Sequence, residues 1–137
     1  MIAPRGDKFL LLVLALASAC GPSSQEKAET GELCRAIDVL RNAPNAAKSE
    51  LLATLAATPC ERPALCELKQ SCLAAYRLHV LGLAQEARAK SALASGAAAD
   101  EISRLLDGAR DELERARPLV ATCVDRQAAI KRRYKLQ

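Results

Sequence analysis

ISRLLDGARDELERARPLVATCVDRQAAIKRRY, residues 102–134, places Ile102, Leu106, Ala109, Leu113, Ala116, Val120, Cys123, Gln127, Ile130 and Tyr134 at alternating intervals of four and three. That spacing brings every named side chain onto one edge of a helix, the a/d seam by which two helices pack along their length. Pro118 removes one backbone hydrogen bond from the run, and because the seam resumes in phase beyond it, a kink is expected rather than an end. Leu106-x-x-Ala109-Arg110 returns as Leu113-x-x-Ala116-Arg117. The interval of seven is a heptad echo and not the longer period of a helical solenoid.

Upstream, Pro63 opens a second long run, in a first-turn position where its missing N–H is not needed, and the pattern continues to about Leu93. Two apolar stripes lie on it: Cys66, Leu73, Tyr76, Val80, Leu83 and Ala87 form one, and Leu65, Leu68, Cys72 and Ala75 the other. A helix apolar on two sides has two neighbours, so this one is expected at the centre. Ser95-Gly96-Ala97 ends it with a glycine cap, and Asp100 is placed to cap the helix that follows. The two long helices thus form an antiparallel hairpin turning about Ala97.

Two shorter helices precede them. The first, from about Glu32 to Ala43, carries Leu33, Ala36, Ile37 and Leu40 on one stripe and stops at Pro44. The second takes Asn45 as its N-cap, presents Leu51, Leu52, Leu55 and Ala56, and ends near Thr58-Pro59. The expected fold is all-α: a short N-terminal helical hairpin packed on a longer one, forming a small antiparallel bundle over residues 33–137. Glu86 with Lys90 and Asp111 with Arg115 are four apart and read as ion pairs on solvated helix faces.

Composition agrees with helices packed through small side chains. Half of the 137 residues are hydrophobic, mostly alanine and leucine, and aromatics amount to 2%. The net charge of +4 is too small to argue for nucleic-acid binding. His79 is the only histidine and has no acid or nucleophile at helical spacing, so it is read as a packing residue. No Gly-rich phosphate loop, HExxH or GxSxG occurs, so neither an enzyme nor a cofactor or metal site is expected.

The extreme N-terminus is built differently. Arg5 and Lys8 precede an unbroken apolar run from Phe9 to Ala17, and small residues lead up to Cys20. Residues 1–19 read as a signal peptide, since the run is too short to span a bilayer. Leu16-Ala17-Ser18-Ala19-Cys20 resembles the lipobox of bacterial lipoproteins, with Ala17 where that family most often has leucine. The resemblance implies diacylglycerol on the Cys20 sulfur, cleavage just before it, and durable anchoring by several acyl chains. Gly21 in place of an aspartate implies, by the same resemblance, an outer-membrane destination. Residues 21–32, GPSSQEKAETGE, read as a flexible tether. Ala17-x-Ala19 also satisfies ordinary signal cleavage, and the competing expectation is a secreted, unlipidated helical binding or inhibitor module.

Export leads to an expectation of disulfides among Cys34, Cys60, Cys66, Cys72 and Cys123. Cys72 lies 25 residues before Ala97 and Cys123 lies 26 after it, so an antiparallel hairpin sets them level and a bridge between them is expected. Cys66 and Cys72 cannot pair within one helix, where six residues give about 9 Å of rise. Cys34, Cys60 and Cys66 fall at one end of the up-down arrangement, which suggests a bridge from Cys34 to either of the other two and leaves one thiol over.

The same topology returns the C-terminal Lys131, Arg132, Arg133 and Lys135 to the end where the tether enters, as basic residues close to a membrane. The far parts of the long helices, with Ala84, Ala87, Ala92 and Ala94, extend past the short hairpin. Self-association or an envelope partner helix is expected there.

Overall fold

A computed structural model describes residues 21–137; Cys20 and the signal-peptide reading of residues 1–19 lie outside the described residues. Four helices follow one another: α1 (Ser24–Asn42), α2 (Lys48–Ala57), α3 (Pro63–Ala94) and α4 (Ala99–Tyr134), with a 3-10 turn over Asn45–Ala47 before α2. The fold is an all-α bundle. Helices α3 and α4 pack along their length as an antiparallel hairpin, α1 packs on α2, α3 and α4, and α2 packs on α1 and α3.

The core is confined to one half of this assembly. Leu33, Ile37 and Leu40 of α1, Leu55 of α2, and Leu65 and Leu68 of α3 are almost fully excluded from solvent, together with Cys72, Leu73, Ala75 and Tyr76. Helix α3 touches all three others, which accounts for its two apolar stripes. On α4 the seam is buried at Ala109, Ala116, Cys123, Gln127 and Tyr134, while Leu106 is 47% exposed. The helix runs unbroken through Pro118.

Beyond Tyr76 the interface between α3 and α4 tightens around small residues. A side chain on Gly82 would bring its Cβ within 2.7 Å of Leu113 Cγ and 3.0 Å of the Ala109 carbonyl oxygen, so the backbones approach too closely for any other residue. At Gly108 an added Cβ would meet only the end of the Gln85 side chain, which can swing away. Both glycines are helical and would gain from alanine in propensity. We expect Gly108→Ala to raise stability by up to ~1 kcal/mol and Gly82→Ala to lower it by about 1–2 kcal/mol, because overpacking exceeds the propensity gain. Paired thermal melts check the opposite signs.

Helix ends depart from expectation in three places. Helix α1 starts at Ser24, not near Glu32, so most of the segment read as a tether is helix. The cause is a capping box: Ser23 Oγ accepts from the Glu26 amide and the Glu26 carboxylate accepts from the Ser23 amide, each at 3.1 Å. Helix α2 has no side-chain cap, since Asn45 opens the 3-10 turn instead, and Asp100 lies within the first turn of α4 after an uncapped Ala98. The α3–α4 turn is a Schellman motif: Gly96, at φ +74°, donates to the Leu93 carbonyl and Ala97 to the Ala92 carbonyl.

Two buried lysines finish the short hairpin. Lys48 Nζ donates to the carbonyls of Leu40 and Arg41 at 3.0 and 2.9 Å, and Lys69 Nζ to that of Thr58 at 2.6 Å. Each ammonium thus closes the C-terminal end of α1 or α2, where unpaired carbonyls and the helix dipole favour a cation. Of the two expected surface pairs, Glu86 with Lys90 is present at 2.6 Å, whereas Arg115 pairs with Glu112 at 3.1 Å and not with Asp111.

Candidate functional site at the shared end of the chain

The first described residues and the last lie together. Gly21, Pro22 and Glu26 line one shallow cleft with Arg133 and Tyr134, and Gly31, Cys34 and Arg35 of α1 line another with Lys131, Leu136 and Gln137. The link from Cys20 to α1 is only Gly21–Ser23. This proximal end collects the cysteines, the basic run and the polar contacts that hold α1 down.

Cys72 and Cys123 form a disulfide, with an S–S distance of 2.06 Å and Cα atoms 4.9 Å apart, level across the α3–α4 interface. The second bridge joins Cys60 to Cys66, with Cα atoms 5.3 Å apart, and Cys34 is a free, buried thiol. The expected bridge from Cys34 is therefore corrected. Six residues separate Cys60 from Cys66, as they separate Cys66 from Cys72, but residues 59–62 are not helical and the chain folds back onto the first turn of α3. Cys34 sits where α1 meets α4: its carbonyl accepts from Gln127 Nε2 at 3.0 Å. Burial pushes its thiol pKa up, with the Lys131 ammonium pulling partly the other way.

Asp38 is the centre of the α1–α4 contact. Its carboxylate accepts from Lys131 Nζ at 2.7 Å, Gln127 Nε2 at 3.0 Å and Arg41 Nη1 at 3.2 Å, and Arg41 also donates to Gln127 Oε1. Burial alone would raise the Asp38 pKa. The hydrogen bonds from Lys131 and Gln127, with the charges of Lys131 and Arg41, outweigh it and hold the carboxyl below its ordinary 3.8.

A depressed folded-state pKa gives stability that is present above 3.8 and lost as pH falls through the folded value. We expect Asp38→Asn to be less stable at neutral pH and to lose part of the acid sensitivity of the parent. Thermal melts between about pH 5 and pH 2 check the difference in slope.

Of the basic residues read from the sequence, the structure divides one from the rest. Lys131 is committed to Asp38, whereas Arg132, Arg133 and Lys135 are exposed and have no ion-pair partner among the described residues. Arg133 stacks over the Tyr134 ring at 5.7 Å. Lys135 adopts the left-handed conformation, φ 54°, that closes α4, with the Leu136 amide donating to the Lys131 carbonyl at 2.9 Å.

His79 lies outside this end. Its ring meets Tyr76 edge-on at 6.2 Å, and burial, with Lys48 nearby, lowers its pKa from 6.5.

No protein-family model, no curated protein and no solved structure matches this chain.

Sequence reading missed several members of the proximal end. Glu26 and Glu29 reach Arg62 at 2.7 and 3.3 Å, and Glu29 accepts from the Glu61 amide at 2.8 Å, which fastens the first turns of α1 to the α2–α3 connection. The Ser23-x-x-Glu26 pattern is a legible signal for this early start. The contacts of Asp38 with Gln127 and Lys131 span 89 and 93 residues and have no local signature.

Proposed function

We propose that this chain is exported and held to a bacterial membrane by lipid on Cys20, and that its disulfide-stapled helical body serves a structural or protein-interaction role in the cell envelope. The cysteine partition supports this reading most. Four downstream cysteines are joined in two bridges and Cys34 is sealed in the core, so no exposed thiol is offered to Cys20 among the described residues. A third disulfide from Cys20, which would use all six cysteines in a secreted, unlipidated module, has no accessible partner among the described residues. The lipobox-like residues 16–20 point the same way.

Above the anchored end, α3 and α4 extend past the short hairpin. The groove at that step, about 370 Å³, is lined by Ala46 and Ser49 on one side and Val80, Leu83, Ala84 and Ala87 on the other. It is the natural place for an envelope partner.

Growth with labelled palmitate tests the anchor. Label should enter the wild-type chain and be absent from Cys20→Ala, which retains the Ala17-x-Ala19 cleavage pattern and should appear in the soluble fraction. A wild-type chain that takes up no label refutes the anchor and favours the secreted module.

A further inference from the structure

The geometry points to the proximal end as a docking face for the headgroups of an anionic bilayer, built from Lys27 and Arg35 of α1 with Arg132, Arg133 and Lys135 of α4. The inference rests on the Cys20 anchor proposed above. It differs from the sequence-derived basic run in its membership: Lys131 leaves because Asp38 holds it, and two residues of α1 enter.

Helix α1 separates its charges by face. Gln25, Glu29 and Glu32 line a hollow with Pro59 and Glu61, turned toward the α2–α3 connection. Gly31 and Arg35 line a different hollow with Lys131 and Leu136, and Lys27 stands one turn before Gly31 on that side. On the cationic side the acids are engaged, Glu26 by Arg62 and Asp38 by Lys131 and Arg41. In the other hollow Glu29 is engaged by Arg62, while Glu32 and Glu61 have no ion-pair partner among the described residues. Lys27, Arg35, Arg132, Arg133 and Lys135 are exposed and have no ion-pair partner among the described residues. Of these five, Arg133 lines the cleft with Gly21 and Pro22, Arg35 lines the neighbouring one with Lys131, and Arg132 and Lys135 belong to the same last turn of α4 and its cap.

Distance selects a bilayer as the partner. Gly21–Ser23 is three residues and spans at most about 10 Å when extended. Electrostatic attraction in physiological salt decays over about 8 Å. An anchor at Cys20 would thus hold these cations within range of a negatively charged leaflet, and α4, 36 residues and so about 54 Å long, would carry the distal arm away from it. A longer tether would have separated the body from the lipid. Anchor and cations together would set one orientation.

Residues 21–137 contain the whole described core and both disulfides, so this segment, oxidised, is the protein to test. It is floated with vesicles of mixed phosphatidylglycerol and phosphatidylcholine, or of phosphatidylcholine alone. Binding should require phosphatidylglycerol and fall with added salt. Arg35→Gln, Arg132→Gln, Arg133→Gln and Lys135→Gln combined should lose about five-fold per neutralised charge. Its melting should be close to that of the parent, because these side chains form no ion pair among the described residues and only the stacking of Arg133 on Tyr134 is lost. Lys131→Gln should melt earlier yet retain most binding.

Equal partitioning into both vesicles, no binding at low salt, or undiminished binding by the combined variant would overturn the face. Binding to polyglutamate as strong as to vesicles would reassign it to an acidic protein partner. Palmitate labelling is read separately: label without vesicle binding keeps the anchor and removes the face, and the reverse keeps the face and removes the anchor.

Discussion

Replacing Cys72 and Cys123 together by alanine should destabilise the bundle by about 4 kcal/mol, the loop-closure entropy of a crosslink between positions 51 residues apart. The bridge joins the first third of α3 to the last third of α4 and closes the arm beyond it into one covalent loop. Without it, the unfolded chain regains that freedom while the folded chain loses little, since both positions are fully buried and alanine fits the close packing. At the scale of a small domain this corresponds to a fall in Tm of roughly 15–30 °C, read by circular dichroism. The Cys60–Cys66 bridge spans only six residues and should contribute about half as much. Equal losses from the two bridges would mean that the long loop is held by packing rather than by the crosslink.

Ile37→Ala should cost about 2–5 kcal/mol and release α1 from the bundle before the α3–α4 hairpin opens. Ile37 is fully buried with Leu33 and Leu40 on the face by which α1 holds to its neighbours, and α1 has no disulfide of its own. Cys34 reports the release. In the parent it is 2% exposed, so it should resist a thiol reagent until the bundle unfolds. In the variant it should react under native conditions while far-ultraviolet dichroism still shows most of the helix. Slow labelling of Cys34 in a destabilised but helical variant would contradict this order.

These two results separate what is visible in a linear sequence from what is not. The α3–α4 hairpin is legible because its order repeats: a seam recurring at four and three residues, a glycine at the turn, and cysteines nearly equidistant from it. The level pairing of Cys72 and Cys123 follows from that symmetry. By periodicity helix α1 is legible only from Leu33 onward, because periodicity registers apolar side chains and its first turns, opened by the Ser23-x-x-Glu26 capping box, are held by polar ones. Thr30, fully buried, donates to the Glu26 carbonyl at 2.6 Å, and Glu26 and Glu29 reach across to Arg62.

Lys48 and Lys69 are unreadable for a related reason. A lysine in an amphipathic helix is taken as solvated, yet both are buried because each finds the open carbonyl end of a preceding helix. The partner of Cys66 depended on the bend of residues 59–62, which spacing rules for a continuous helix do not describe. Of the proximal end, the convergence of the chain's two ends could be read from topology alone. Which cations remain free there depended on Asp38, whose partners Gln127 and Lys131 lie in a distant helix.

What Cys20 carries decides between an anchored and a secreted chain. Intact mass of the mature chain extracted from membranes tests it directly. The expected result is a polypeptide beginning at Cys20, heavier than residues 20–137 by a diacylglycerol group with or without a further acyl chain, and recovered with the membrane fraction. A soluble chain of unmodified mass would contradict it.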